Sequence, residues 1–366
     1  MLRPYAGFAV FGVFWGAWAA VLPAVKHGAG ATDAELGVAL LCVAAGALAA
    51  MLLSGALADR FGSRATAAAF AGFALAVCLP ALTRSVGALA GSLLVLGALS
   101  GAVDVTINGA VASLERERRR SLMNQAHALF PVGALAGSGT AALARGAGVG
   151  AEPILVAVAA LLLAVGLASL GSRHPVVAPR ARRGRRFVAS RVLLALGVVC
   201  ALGFMIENGL ESWSAVQLAD TLGAGPGVAG LGPAAFAAAM VVGRLLMHRL
   251  DDPRLLSGAA LLCAAGLALF AAADSVALAL TGVVIAGLGV SGVAPTILGM
   301  GGRVAAEGEQ SASIATVTTV SYLGFLIGPV LVGGIAGATS LRVGLAALAV
   351  IGLMLSAALF RVAQRT

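Results

Sequence analysis

Charge is what this chain has least of. Only 11% of its 366 residues are Asp, Glu, Lys or Arg, against 60% hydrophobic residues and a mean hydropathy of +1.02. A water-soluble domain carries about a quarter charged residues, so that class is excluded and an integral membrane protein is implied. Cysteine is scarce too. Cys42, Cys78, Cys200 and Cys263 all lie in apolar runs with no C-x-x-C pair, which excludes a disulfide framework or a cysteine metal site and leaves them as small packing residues. The chain has no H-E-x-x-H and no G-x-S-x-G, and its few His and acidic residues are scattered. Enzyme chemistry and a cofactor are therefore not expected. Short alternating segments of about ten residues are also missing, which excludes a membrane β-barrel.

What the chain has in abundance is apolar sequence, with 50 glycines suited to helices that pack through small residues in lipid. About 20 apolar residues cross a hydrocarbon core, and twelve such runs are present, near 5–25, 36–57, 65–83, 86–112, 122–145, 150–170, 190–214, 226–248, 254–273, 276–300, 310–335 and 340–362. The thinnest division is Thr83-Arg84-Ser85, between the third and fourth runs. The first run is too long for a signal peptide and lacks a cleavage site.

The net charge of +9 and pI near 10.8 do not point to nucleic acid, because the arginines sit between hydrophobic spans. With twelve spans and both termini cytoplasmic, twenty of the twenty-four Lys and Arg fall on the cytoplasmic side, and only Lys26, Arg84, Arg145 and Arg342 fall outside. The positive-inside rule selects that orientation.

One linker, residues 172–190, carries Pro175, Pro179, Arg180, Arg182, Arg183, Arg185 and Arg186. It divides the chain into 1–171 and 191–366, two halves of six helices. The linker reads as a topogenic, lipid-facing basic loop, with a regulatory role as the alternative. The halves resemble each other, as an internal duplication predicts. Ser100-Gly101-Ala-Val-Asp104 parallels Ser291-Gly292-Val-Ala-Pro295 at an offset of 191, and His127 with Gly133 parallels Tyr322 with Gly328 at 195. Gly55 has a counterpart in Gly243, which opens a degraded copy of the hinge described next.

That hinge is Gly55-Ala-Leu-Ala-Asp59-Arg60-Phe-Gly62-Ser-Arg64, three charges and a turn glycine between two apolar runs. It resembles the signature loop between the second and third helices of major facilitator superfamily transporters. Trp18-Ala-Ala-Val-Leu-Pro23, Gly97-x-x-x-Gly101-x-x-Asp104-x-x-x-Asn108, His127 with Gly133 and Gly137, Glu207-Asn-Gly-Leu-Glu211-Ser-Trp213 and Gly324-x-x-x-Gly328-Pro329 extend the resemblance. Within the superfamily the chain is most similar to the fucose-permease-like bacterial inner-membrane group.

The resemblance implies an all-α fold of two pseudo-symmetric six-helix bundles around a central cavity that opens alternately to each side. It also implies a latch role for Gly55, Asp59, Arg60, Gly62 and Arg64 in the outward-facing state. The alternative for these charges is helix capping by Asp59 and topology setting by the arginines. In the fucose-permease group an acidic residue four before an asparagine in the fourth helix is associated with proton coupling, and Asp104 with Asn108 matches that spacing. Fucose-type carriers also have an acidic residue in the first span, and here that span has none before Lys26, so sugar specificity does not transfer.

The residues themselves point the same way. An ionisable side chain inside a bilayer costs a few kcal/mol on insertion scales and needs a partner or a task. Asp104 and Asn108 share a helical face in the inner half of the fourth span. A carboxyl group there can take a proton from one side and release it when the surroundings hydrate on the other, or can simply hold two helices together. His127 enters the fifth span near that depth and could share the proton or bond a neighbouring carbonyl; Asn124 and Gln125 are placed at the loop interface.

Glu207 and Glu211 share a face toward the outer end of the seventh span, where Gly203 and Gly209 could let the helix unwind. Glu207 is a candidate for a polar or cationic substrate or for a gate, and Glu211 for a solvated position. Phe8, Phe11, Trp15 and Trp18 form a stripe on the first span, with Trp18 the foremost candidate for ligand stacking against a packing role for the rest. Tyr322 is a candidate hydrogen-bonding cavity residue. Gly328, Pro329 and Pro295 are bending sites, and Pro329 frees a carbonyl that its neighbours must satisfy.

The reading is therefore a monomeric secondary active transporter in a bacterial inner membrane, moving a small polar solute, sugar-like or a metabolite, with protons as coupling ion. A multidrug or metabolite efflux antiporter of the same superfamily is the alternative, and a non-transporting membrane sensor a remote one.

Overall fold

A computed structural model describes residues 2–119, 122–171, 190–247, 253–304 and 310–364. The basic linker falls almost wholly outside the described residues, as does the side chain of Asp59. Among the described residues there is no strand, and twelve segments of 19 to 31 residues are long and apolar enough to cross a membrane. The all-α, twelve-span expectation therefore holds, and the chain is a multi-pass membrane protein.

The helices are α1 (Leu2–Gly28), α2 (Asp33–Phe61), α3 (Ser63–Leu82), α4 (Val86–Arg118), α5 (Met123–Gly146), α6 (Ala151–Ser169), α7 (Arg191–Val216), α8 (Pro226–Ala229), α9 (Leu231–Met247), α10 (Pro253–Ala272), α11 (Val276–Val290), α12 (Val293–Arg303), α13 (Gln310–Ala338) and α14 (Leu341–Ala363). Short polar punctuation separates them, and at four of the starts a side chain satisfies exposed amides. Thr32 and Glu35 form a reciprocal capping box at α2, and Ser85, Ser275 and Ser340 accept amides of α4, α11 and α14. Lys26 at the end of α1 pairs with Asp33 at the start of α2. At the hinge, Gly62 closes α2 and opens α3 with φ +54° and ψ −125°, a conformation that glycine alone adopts without strain.

Three of the spans depart from simple rods, and the eighth does so least, by a break at Gly230 between α8 and α9. The seventh runs past the expected 214 and continues α7 through a π-helical turn, Gln217–Thr221. The tenth is two helices, α11 and α12, broken at Ser291-Gly292, with Pro295 in the first turn of α12, where its missing N–H leaves no helical bond unmade. The expected unwinding at Gly203 and Gly209 does not occur. A methyl at Gly203 would lie 3.0 Å from the Val293 side chain, and one at Gly209 2.7 Å from Leu348. Both glycines serve packing inside a continuous α7.

The chain forms two compact units, Met1–Ala181 with Gly225–Ala234, and Arg182–Ala224 with Ala235–Thr366. In the first, α1 packs on α5, α2 on α4 and α3 on α6; in the second, α7 packs on α13, and α10 on α11 and α14. Backbones approach so closely that side chains are excluded at the crossings, which is how helices gain attraction in lipid. Methyls on Gly133 and Gly137 of α5 would collide with the Ala9 and Val13 carbonyls of α1. Methyls on Gly324 and Gly328 of α13 would collide with the Ala201 and Met205 carbonyls of α7. Gly133 thus corresponds to Gly324 and Gly137 to Gly328, an offset of 191 rather than the expected 195. The counterpart of His127 is Thr318, one helical turn before Tyr322.

Candidate functional site

In the first unit, α4 and α5 bring Asp104, Asn108 and His127 together. The Asn108 amide nitrogen donates to the Asp104 backbone carbonyl at 2.8 Å and to its carboxyl Oδ1 at 3.1 Å. Two acceptors on one side fix which way the amide points, so its carbonyl oxygen faces His127 Nε2 at 3.0 Å, and that nitrogen is the donor. The imidazole also lies against Phe8 of α1, ring centroids 4.8 Å apart. Asp104 and Asn108 are half-buried, and His127 is exposed. The spacing of four residues was legible as a shared face; the bond across to α5 was not, because it depends on how the helices cross.

Glu115, which sequence reasoning did not single out, holds that crossing. Its Oε1 accepts the amides of Leu122 at 2.6 Å and Met123 at 2.8 Å, capping the start of α5 from the end of α4. Asp104, Asn108 and Glu115 recur at i, i+4 and i+11, one stripe of α4, and that periodicity could have revealed it. Nearby, Tyr5 donates to Gln125 at 3.2 Å; Gln125 belongs to α5 rather than to a loop.

The aromatic stripe of α1 is mostly packing. Phe11, Phe14, Phe73 and Phe130 are in ring contact, and Trp18, expected to be the foremost ligand contact, is only 3% exposed and stacks on Phe14. Trp15 is the more exposed of the two tryptophans. At the hinge, Arg60 lies over the Phe61 ring at 5.2 Å, and both it and Arg64 are exposed.

The second unit contains a different constellation. Glu207 lies at the middle of the span Arg191–Thr221, deeper than the outer-end position expected, and is 8% exposed. Its Oε2 is 3.7 Å from Arg244 Nη2 of α9. Arg244 lies near the end of the span Pro226–Leu246, inside the expected eighth run, and its long stem carries the guanidinium to the carboxylate. Glu211, one turn further along α7, is half-buried. Pro329 lies inside α13 and leaves the Phe325 carbonyl without its helical donor; Asn208 Nδ2 of α7 supplies one at 2.7 Å, and Trp213 Nε1 donates to the Pro329 carbonyl at 3.2 Å. Tyr322 is exposed beside Phe325, centroids 5.8 Å apart.

Twelve membrane-capable spans, small-residue crossings and ionisable side chains within the spans define a polytopic membrane protein. The family model of the Major Facilitator Superfamily matches residues 5–329 and 214–366, and the chain belongs to that superfamily of transporters. It is 32% identical over 362 residues to an uncharacterized MFS-type transporter of Yersinia pestis, covering 96% of this chain and 92% of that one. It is 28% identical over 361 residues to the membrane protein MosC of Rhizobium meliloti, covering 96% and 87%. Among solved structures, the nucleoside transporter NupG aligns with a TM-score of 0.82 at 12% identity over 98% of both chains. A bacterial homolog of the human lysosomal transporter Spinster, inward-facing and occupied, aligns at 0.79 with 16% identity over 100% and 96%. At those identities the structures share the fold.

Proposed function

We propose that this transporter is a proton-coupled secondary carrier of a small polar solute, working as a monomer by alternating access in a bacterial inner membrane with both termini cytoplasmic. The two six-helix halves, 1–171 and 191–366, are joined by the basic linker 172–190. The observation that carries the proposal is the hydrogen-bonded line Asp104–Asn108–His127, which ties a carboxyl inside α4 to an imidazole on α5. Asp104 is the proton-binding group, and His127 reads its state through Asn108. Glu207 and Tyr322 contribute polar groups toward the solute. The hinge Gly55–Arg64 acts as the conformational latch, and Pro295, Gly328 and Pro329 set the helix bends. One charge crossing 100 mV supplies about 2.3 kcal/mol, enough for a roughly fifty-fold gradient.

The test begins with a thermal-shift screen of solutes, nucleosides and sugars included, and continues in proteoliposomes with an imposed pH gradient. Asp104→Asn should abolish gradient-driven accumulation while sparing exchange of labelled for unlabelled solute. Undiminished accumulation by that variant would reject the assignment. An efflux antiporter is the second reading, favoured by a first span without any acidic side chain before Lys26; a drug-susceptibility panel set against uptake assays separates the two.

A further inference from the structure

We infer that Glu207 and Arg244 form a carboxylate-binding site in the second unit, in which a proton on Glu207 frees Arg244 to hold an organic monoanion. The inference rests on the carrier reading above and names the solute class.

The pair is an ion pair of poor geometry. An arginine and a carboxylate at their best share two parallel hydrogen bonds below about 3 Å; here the nearest approach is 3.7 Å, between Arg244 Nη2 and Glu207 Oε2. Glu207 Oε1 and Arg244 Nε are buried with no hydrogen-bond partner among the described residues. Leaving such groups unmade is costly, so the arrangement neutralises Arg244 without occupying its fork. The Arg244 side chain is 35% exposed and that of Glu207 11%, so Arg244 is the more accessible member of the pair.

Protonation changes what the site offers. Arginine keeps its charge in proteins, so a neutral Glu207 leaves one O–H and the guanidinium N–H groups converging, which matches the two oxygens of a carboxylate. The proton stays on Glu207, and the substrate carboxylate replaces the Glu207 carboxylate as the counterion of Arg244. Empty and unprotonated, or loaded and protonated, the site has zero net charge, so neither state leaves an uncompensated charge in the span. A cationic solute would meet the fixed Arg244 charge. Among the described residues, the other titratable groups that interact electrostatically with Glu207 are Glu211, four residues on along α7, Cys200 of α7 and Cys263 of α10. Tyr322 is the only titratable residue of α13, α11 has none, and α12 and α14 carry only Arg303, Arg342 and Arg361.

The test is thermal-shift and equilibrium binding of the full chain in detergent against matched pairs: sugar acids and short hydroxy acids, each beside its uncharged amide or alcohol. Carboxylates should bind, tighter at mildly acidic than at mildly alkaline pH. Glu207→Gln should abolish that pH dependence and bind carboxylates at alkaline pH about tenfold or more tighter than the natural chain. Arg244→Lys, which keeps the charge and loses the fork, should weaken them at every pH. Binding confined to neutral or cationic solutes, no carboxylate binding at all, or an unchanged pH dependence in Glu207→Gln would overturn the inference. Neutral solutes that accumulate under a proton gradient would leave the carrier reading standing and sink this one; carboxylate binding through Arg244 without gradient-driven accumulation would do the reverse.

Discussion

Replacing Asn208 by alanine should be costly only while Pro329 is present. Pro329 cannot donate to the Phe325 carbonyl, and the Asn208 side chain does so at 2.7 Å from a different helix. Interhelical hydrogen bonds in membrane proteins average about 0.6 kcal/mol with a maximum near 1.7, and a buried carbonyl left without any donor costs about 1–3 kcal/mol. Because Asn208→Ala removes the donor and leaves the carbonyl, its cost should lie at about 1–1.7 kcal/mol, the overlap of the two ranges. Pro329→Ala restores an N–H to α13, which then satisfies Phe325 from within its own helix. In that background Asn208→Ala should cost about 0.5 kcal/mol or less, giving a coupling energy of about 1 kcal/mol in a double-mutant cycle. Reversible unfolding in mixed micelles, followed by tryptophan fluorescence, measures it. Trp213 is fully buried and donates to the Pro329 carbonyl, so the probe sits at the site. Equal costs for Asn208→Ala in both backgrounds would show that the amide does not stand in for the missing helical bond.

Gly137→Val should force α1 and α5 apart and cost about 1–3 kcal/mol, since a methyl there would overlap the Val13 backbone. Gly139→Ala, where a methyl meets nothing within 4 Å, should leave the same thermal unfolding midpoint unchanged. Glu115→Ala removes the acceptor for two amides at the start of α5 and should cost about 1 kcal/mol. Faster hydrogen exchange at Leu122 and Met123 would register it, and unchanged exchange would remove Glu115 from its capping role.

The spans were readable because each is an apolar run, and four of them start at a capping serine or threonine, so that even Thr83-Arg84-Ser85 suffices to end α3 and begin α4. Glycine was the ambiguous letter. Gly203 and Gly209 read as points of unwinding in the sequence, and the presence of Val293 and Leu348 opposite them makes them points of close approach instead. The tenth span breaks at Ser291-Gly292 instead, where Pro295 follows within the first turn of the next helix. Depth was misjudged for Glu207 because the π-helical turn carries the seventh span on to Thr221, past its expected end, and so moves residue 207 to mid-span. The bond from His127 to Asn108 and the cap from Glu115 to α5 are contacts between helices, and no periodicity within one helix determines them.

The duplication and the chemistry follow different rules in this chain. The carbonyl-facing glycines recur at a constant offset between α5 and α13, since any larger side chain there would separate the helices of either unit. The ionisable side chains do not recur. By the same offset His127 corresponds to Thr318, whose hydroxyl donates to its own helix at Ile314. Asp104 and Asn108 correspond to Pro295 and Gly299 through the Ser100-Gly101 and Ser291-Gly292 match. Ala9 and Val13 face the glycines as Ala201 and Met205 do, an offset of 192 that sets Glu207 opposite Trp15. Packing constrains both copies identically, so the repeat persists wherever backbone meets backbone. A buried charge is tolerated only with a local partner, and each unit has built one constellation of its own: a hydrogen-bonded carboxyl in the first, an ion pair in the second. Exchanging Asp104 with Pro295, or Glu207 with Trp15, would therefore place a charge where the other unit offers no partner, and the symmetry of the fold would not rescue it.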